Sequence, residues 1–106
     1  MMISILIADD HTMFREGLVS LLSDENEISI IGDVSNGKEV LAFIQKEKPD
    51  VLLLDLEMPI MDGFDTLREL KRLKVPVKTL VLTMHKSAEF IKHILKAGAS
   101  GYLPKD

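Results

Sequence analysis

A doubly wound α/β fold with a parallel sheet is the architecture this sequence predicts, and three observations predict it. Short apolar runs alternate four times with amphipathic stretches of helical period, and one more short apolar run follows, which is the pattern of βα units. The run Val51-Leu52-Leu53-Leu54 has no polar alternation, as expected of a central strand buried on both faces. Two runs deliver acid at their carboxyl ends, Ile3–Ala8 into Asp9-Asp10 and Val51–Leu54 into Asp55.

The first strand is expected at about Ile3–Ala8. A helix follows from about Thr12, with Phe14, Leu18, Leu21 and Leu22 on one stripe. Ile28–Val34 makes the second strand. Asn36-Gly37-Lys38-Glu39 reads as an N-cap with a capping-box partner three residues on. It opens a helix whose inner face carries Val40, Leu41 and Ile44. Lys48-Pro49 ends that helix, because a residue before proline is pushed out of the α region. After the third strand, Asp62 is expected to cap a helix with Phe64, Leu67 and Leu70 inward. Pro76 precedes a fourth strand, about Val77–Thr83. The fourth helix carries Phe90, Ile91, Ile94 and Leu95 and stops at Ala97-Gly98, where glycine suits the left-handed C′ position. Gly101–Leu103 starts a short fifth strand. Right-handed crossovers put helices on both faces of such a sheet.

The chain of 106 residues is one domain's worth. With 5% aromatic residues its core must rest on Leu, Ile, Val and Met. Without cysteine there is no disulfide, thiolate metal site or thiol nucleophile. The apolar N-terminal run lacks a basic leader and is far too short to span a bilayer, so a cytoplasmic protein without a membrane partner is expected. The net charge of −4 argues against this domain itself gripping nucleic acid. The basic stretch Arg68–Lys74 is broken by Glu69 and by leucines at helical spacing, and reads as a solvated helix face.

Asp9, Asp10, Asp55, Thr83 and Lys105 all fall at the carboxyl ends of expected strands, where open α/β sheets bind their ligands. If the first and third strands are neighbours, about 4.8 Å apart, Asp10 and Asp55 can share one ion. A site of carboxylate oxygens suits Mg²⁺ and leaves room for phosphate oxygens. Lys105 would neutralise remaining charge as a point cation, and the Thr83 hydroxyl can donate to a phosphoryl oxygen. An Asp-Asp pair before a helix is by itself more often a solvated cap; the joint placement of all five is what points to a site. His11, His85 and His93 share no ligand spacing; His11 is expected at a helix start and His93 on a helix surface.

Asp9-Asp10, Asp55 with Met58-Pro59 and Asp62-Gly63, Thr83, Ala97-Gly98-Ala99 with Gly101-Tyr102-Leu103, and Lys105 resemble the signature of the receiver domains of bacterial response regulators. The spacing matches across essentially the whole chain. Asp10-His11 with Phe14-Arg15-Glu16-Gly17-Leu18, and the closing Gly-Tyr-Leu-x-Lys-Asp, look most like the NarL/FixJ (LuxR-type) branch. The resemblance implies a flavodoxin-like sheet of order 2-1-3-4-5. It implies phosphorylation of Asp55 by a sensor histidine kinase, with Mg²⁺ held by Asp10, Asp55 and the backbone carbonyl of Glu57, and Asp9 acting mainly through water. Thr83 and Lys105 would hold the phosphoryl oxygens, and Thr83 with Tyr102 would switch the surface of the fourth helix and fifth strand. Met84 stands where the family usually has a small residue, narrowing access to Asp55, and Glu57 and His85 occupy places that tune phosphorylation lifetime in relatives. Pro104 replaces the usual apolar residue and is expected to be tolerated because the fifth strand is an edge.

A fifth helix would normally follow the fifth strand. The chain is therefore expected to be a receiver truncated there, with no effector domain present. The open sheet face is expected to be covered by further chain, a second copy or an exchanged element. The DNA-binding output of the branch would lie in the full-length protein. The competing enzyme reading, an aspartyl-phosphate phosphohydrolase of the haloacid-dehalogenase type, wants a second Asp two residues after the nucleophile, where this chain has Glu57.

Overall fold

The computed structural model describes residues 2–105. Asp106, the last residue of the closing motif, lies outside the described residues. The elements alternate as β1 (Ile3–Ala8), α1 (Thr12–Ser23), β2 (Ile28–Val34), α2 (Gly37–Lys46), β3 (Val51–Asp55), α3 (Gly63–Arg72), β4 (Lys78–Thr83), α4 (Ala88–Lys96) and β5 (Gly101–Pro104). All strand pairs are parallel, and the order is β2-β1-β3-β4-β5. The fold is thus the flavodoxin-like five-stranded sheet, with four helices among the described residues.

Alternation along the strands divides the core. Leu6, Ala8, Leu52, Leu54 and Val81 pack toward Val40 and Ile44 of α2, Leu67 and Leu70 of α3 and Ile94 of α4. Ile5, Ile7, Leu53 and Leu82 face the other way, toward Phe14, Leu18, Val19 and Leu22 of α1. β3 contributes to both clusters, as a central strand without polar alternation must. Two expected core positions are exposed instead. Leu21 is 68% exposed and Leu95 44%, because each falls outside the arc that its helix turns to the sheet. Leu22 and Ile94 carry the packing on those turns.

Local signals account for the helix starts. The Asn36 side chain accepts from Glu39 N at 3.0 Å, Asp62 from Asp65 N at 2.9 Å, and Ser87 from Phe90 N at 3.2 Å. The expected capping box is displaced by one residue. Glu39 Oε1 reaches Ser35 N and Ser35 Oγ, at 3.0 and 2.8 Å, and the Asn36 amide rather than the Asn36 backbone. Those Ser35 donors, backbone first, hold the Glu39 carboxyl below its ordinary value. Gly98, at φ +119°, ends α4 as its composition suggested. At the sheet edge Lys105 N donates to Thr83 O at 2.9 Å. Alternation therefore turns the nitrogen of Pro104 to the open side of β5, where its missing N–H costs no ladder bond.

Gly63 fixes how α3 meets β3. Its N–H donates to Leu56 O at 2.9 Å, and a Cβ there would stand 2.5 Å from Asp55 O and 2.7 Å from Leu56 Cα. Both neighbours are backbone and have no rotamer to escape into. Gly63→Ala is expected to lower unfolding free energy by about 2 kcal/mol, within the range for overpacking a close-packed site, measured by urea denaturation. A neutral result would show that the β3–α3 turn yields.

Candidate functional site

The parallel register brings the carboxyl ends of β1, β3, β4 and β5 to one rim. Ala8 pairs with Leu54, Asp55 with Leu82 and Thr83 with Pro104, so Asp9-Asp10, Asp55, Thr83 and Lys105 emerge side by side. Asp9 is fully buried and Asp55 is 3% exposed; Asp10 is half-buried. Lys105 Nζ stands 3.0 Å from Asp9 Oδ2 and 3.5 Å from Asp55 Oδ2. The same ammonium lies 4.5 Å from the centroid of the Phe14 ring, a cation–π contact that seats it against α1. Thr83 is buried, and its Oγ1 accepts from His85 N at 3.0 Å, which leaves the hydroxyl hydrogen free to donate. Asp55, Thr83 and Lys105 line a small cavity of about 40 Å³ with Glu57, Met84 and His85. Asp10, His11, Glu57 and Asp62 border a wider groove beside it.

Two residues to which the sequence assigned no site role belong to this rim. Arg15 donates to Asp9 O at 2.6 Å and to Val34 O at 3.3 Å, and its Nε lies 3.2 Å from Asp33 Oδ1. It ties α1 to the ends of β1 and β2. His11 is the N-cap of α1, as its place suggested, but its ring turns into the acids. Nδ1 lies 3.1 Å from Asp9 Oδ1 and 3.6 Å from Asp55 Oδ2. No spacing rule could find it, because a lone histidine beside two aspartates forms no periodic pattern. Tyr102 is not brought to the rim. It is register-paired with Val81 and 41% exposed on the α4 side of β5. Glu57 and His85 flank the cavity mouth, with His85 Nε2 4.0 Å from Glu57 Oε1 and its ring against Phe90. In the loop before α3, Ile60 adopts φ +69°, strained backbone for a β-branched residue, and Met61 N donates to Pro59 O across it at 2.7 Å.

The electrostatics leave this site short of positive charge. Burial first, and the charge of Asp9 second, push the Asp55 carboxyl above its ordinary value; Lys105 and the Glu57 N–H pull the other way without cancelling them. Asp55 Oδ2 and Asp10 Oδ1 are buried atoms without a hydrogen-bond partner. Asp9, Asp10, His11 and Asp55 each offer a ligand atom, all within 4.8 Å of one another. Orphaned carboxylate oxygens around one point fit a hard divalent cation, which supplies what the acceptors lack.

A family model described as "Response regulator receiver domain" matches residues 5–106. The chain is 40% identical over 104 residues to the transcriptional regulatory protein DegU of Brevibacillus brevis, covering 98% of this chain and 44% of that protein. It is 38% identical over 103 residues to the nitrate/nitrite response regulator protein NarL of Escherichia coli K12, covering 97% and 48%. The chain thus spans about half the length of the curated relatives it matches. Among solved structures, the signal receiver domain of response regulator NarL from Mycobacterium tuberculosis superposes with a TM-score of 0.92 at 33% identity, covering 99% of this chain and 85% of that one. A LuxR-family DNA-binding response regulator from Staphylococcus aureus superposes with a TM-score of 0.89 at 28% identity, covering 98% and 87%.

The raised pKa of Asp55 has a consequence for metal-free stability. The folded domain holds this proton more tightly than the unfolded chain does. Between the ordinary carboxylate value and the raised one, the unfolded state therefore binds fewer protons, and stability falls as pH rises. Asp55→Asn removes this loss while Lys105 keeps Asp9 as its partner. Without divalent ions the variant is expected to melt several degrees above the parent at neutral pH, and the two melting curves should converge as the pH is lowered. Equal melting temperatures at neutral pH would show that Asp55 is not destabilised by its surroundings.

Proposed function

The chain belongs to the response regulator receiver domain family, and is of the kind found in NarL- and LuxR-type regulators. From that premise we propose that it is a phosphoryl-accepting switch, with Asp55 as the acceptor and a phosphohistidine of a sensor histidine kinase as the donor. The observation that carries this reading is the convergence of Asp55, Thr83 and Lys105 on one small cavity beside Asp9 and Asp10.

The chemistry follows from what each side chain presents. An Asp55 carboxylate oxygen attacks phosphorus; the new O–P bond forms as the donor's N–P bond breaks, and the imidazole leaves with the electron pair. Little covalent assistance is needed for such a transfer, which depends on positioning and on neutralising the equatorial oxygens. Lys105, already 3.5 Å from Asp55 Oδ2, supplies a cation on one side. The free hydroxyl hydrogen of Thr83 supplies a donor on the other. Mg²⁺, held by Asp10, Asp55 and the Glu57 carbonyl with Asp9 acting mainly through water, would supply the remaining charge neutralisation. Met84 and His85 restrict the cavity mouth and with Glu57 set how easily water reaches the acyl phosphate. Tyr102 acts away from the rim, changing the α4–β5 surface when Thr83 turns toward the phosphoryl group.

We read the output of the switch as DNA binding by a domain outside these 106 residues, in keeping with relatives named as transcriptional regulatory proteins and a structural neighbour named as a DNA-binding response regulator. The α1 face of the sheet, where Leu103 is exposed opposite buried Leu82, is then covered by a further element, supplied in cis or by a second copy. A phosphohydrolase of the haloacid-dehalogenase type is disfavoured, since Glu57 is turned to solvent and lies 4.0 Å from His85.

Incubation with acetyl phosphate and Mg²⁺ is expected to add one phosphoryl group by intact mass. Asp55→Asn should abolish the adduct. A persistent adduct in that variant would place the acceptor elsewhere, and turnover of phosphate esters would favour the enzyme. Separately, Mg²⁺ at ten times its dissociation constant should stabilise the domain by about 1.4 kcal/mol, seen as a rise in melting temperature at fixed ionic strength. Asp10→Asn should suppress that rise.

A further inference from the structure

We propose that His11 is a nitrogen ligand of the cation held among Asp9, Asp10 and Asp55, and that the site therefore prefers a borderline divalent transition-metal ion, of the Fe²⁺, Co²⁺ or Zn²⁺ class, over Mg²⁺. This deepens the reading of the rim as a metal centre and rests on it. His11 occupies the N-cap of α1 yet makes no side-chain cap hydrogen bond. Its ring turns away from the helix end and into the acids. Nδ1 stands 3.1 Å from Asp9 Oδ1, 3.7 Å from Asp10 Oδ1 and 3.6 Å from Asp55 Oδ2. Ligands about 2.1 Å from one ion lie within roughly 4.2 Å of each other. All three separations meet that bound, and the full set of four, within 4.8 Å, needs little contraction to do so.

The orphaned oxygens give an independent indication. Asp10 Oδ1 and Asp55 Oδ2, the two buried atoms without hydrogen-bond partners, are the same two that face Nδ1. The Asp55 side chain is 95% buried, so water is a poor substitute for a partner there. On the remaining side Lys105 Nζ lies 3.0 Å from Nδ1. An ammonium only donates and a carboxylate only accepts, so Lys105 calls for the Nδ1 lone pair where Asp9 Oδ1, at 3.1 Å, calls for an Nδ1 hydrogen, and a cation among the acids would decide for the lone pair. That lone pair is the one a metal would use. When Lys105 releases it, the ammonium still has Asp9 Oδ2 at 3.0 Å. Imidazole favours borderline ions, whereas an all-oxygen set suits Mg²⁺. One inward nitrogen thus shifts a carboxylate site away from the hardest cation.

Cobalt tests the assignment, because it reports its ligands. The intact chain loaded with Co²⁺ should show a paramagnetically shifted, exchangeable imidazole N–H resonance in its proton NMR spectrum. His11→Phe keeps a ring at this largely exposed position while deleting the nitrogen. It should lose the resonance and bind Co²⁺ about tenfold more weakly by calorimetry, with Mg²⁺ affinity held within twofold; His11→Ala should behave alike. Absence of the resonance in the parent, together with equal Co²⁺ affinity in the variants, would overturn the inference and leave the Mg²⁺ reading standing. If neither ion binds the folded parent, the metal reading fails and the inference with it.

Discussion

Buried negative charge is the constraint on which the carboxyl end of this sheet depends. Asp9 and Asp55 sit almost wholly out of water, and one ammonium, Lys105 Nζ, stands between them. Isolated carboxylates cannot remain ionised at such depth without compensation. Lys105 supplies it from the position just past β5, so the end of the fifth strand is bound to the end of the first. The ion pair therefore closes the sheet from β1 across to β5, over ninety-six positions of sequence. Phe14, beneath the ammonium, lets α1 take part in holding it.

The backbone around this pair is arranged to bring α1, β1, β2 and β3 to one level. Arg15 collects the Asp9 carbonyl just past β1, the last carbonyl of β2 and the carboxylate of Asp33, so two strand ends and a helix share one guanidinium. Gly32 admits the Phe43 ring where a side chain would collide, next to the register shift between β1 and β2. Gly63 lets α3 begin directly under Asp55. These are packing devices, yet each lies beside an acidic residue, Arg15 and Gly32 next to Asp33 and Gly63 against the backbone of Asp55. Core and site cannot be separated here, because the same strands carry both.

The fold was legible because its signals are periodic. Strand runs, helix stripes and caps fell within a residue or two of where the sequence places them, and the acids followed from the strand ends. What was not legible lacks a period. Whether Leu21 or Leu22 faces the sheet depends on a small rotation of α1, and the choice went to Leu22. The partner of Glu39 shifted by one residue because Ser35 offers both a hydroxyl and an N–H. The ring of His11 and the reach of Arg15 depend on side-chain direction, which no spacing reports. Tyr102 shows the converse: a motif position whose residue stands apart from the chemistry, so that any role must pass through β5.

The balance of charge also explains why a compact site need not be a comfortable one. A single ammonium cannot satisfy three carboxylates, and Asp55 Oδ2 and Asp10 Oδ1 remain without hydrogen bonds. A second cation nearer the orphaned oxygens would remove the conflict, as would a proton on Asp55, which burial and Asp9 already favour. A protonated Asp55 would be a poor nucleophile, while a cation would restore the carboxylate. If Asp55 is the acceptor proposed above, the destabilisation stored at this rim falls on the reacting group, and relief by a cation and readiness for phosphoryl transfer would be the same event.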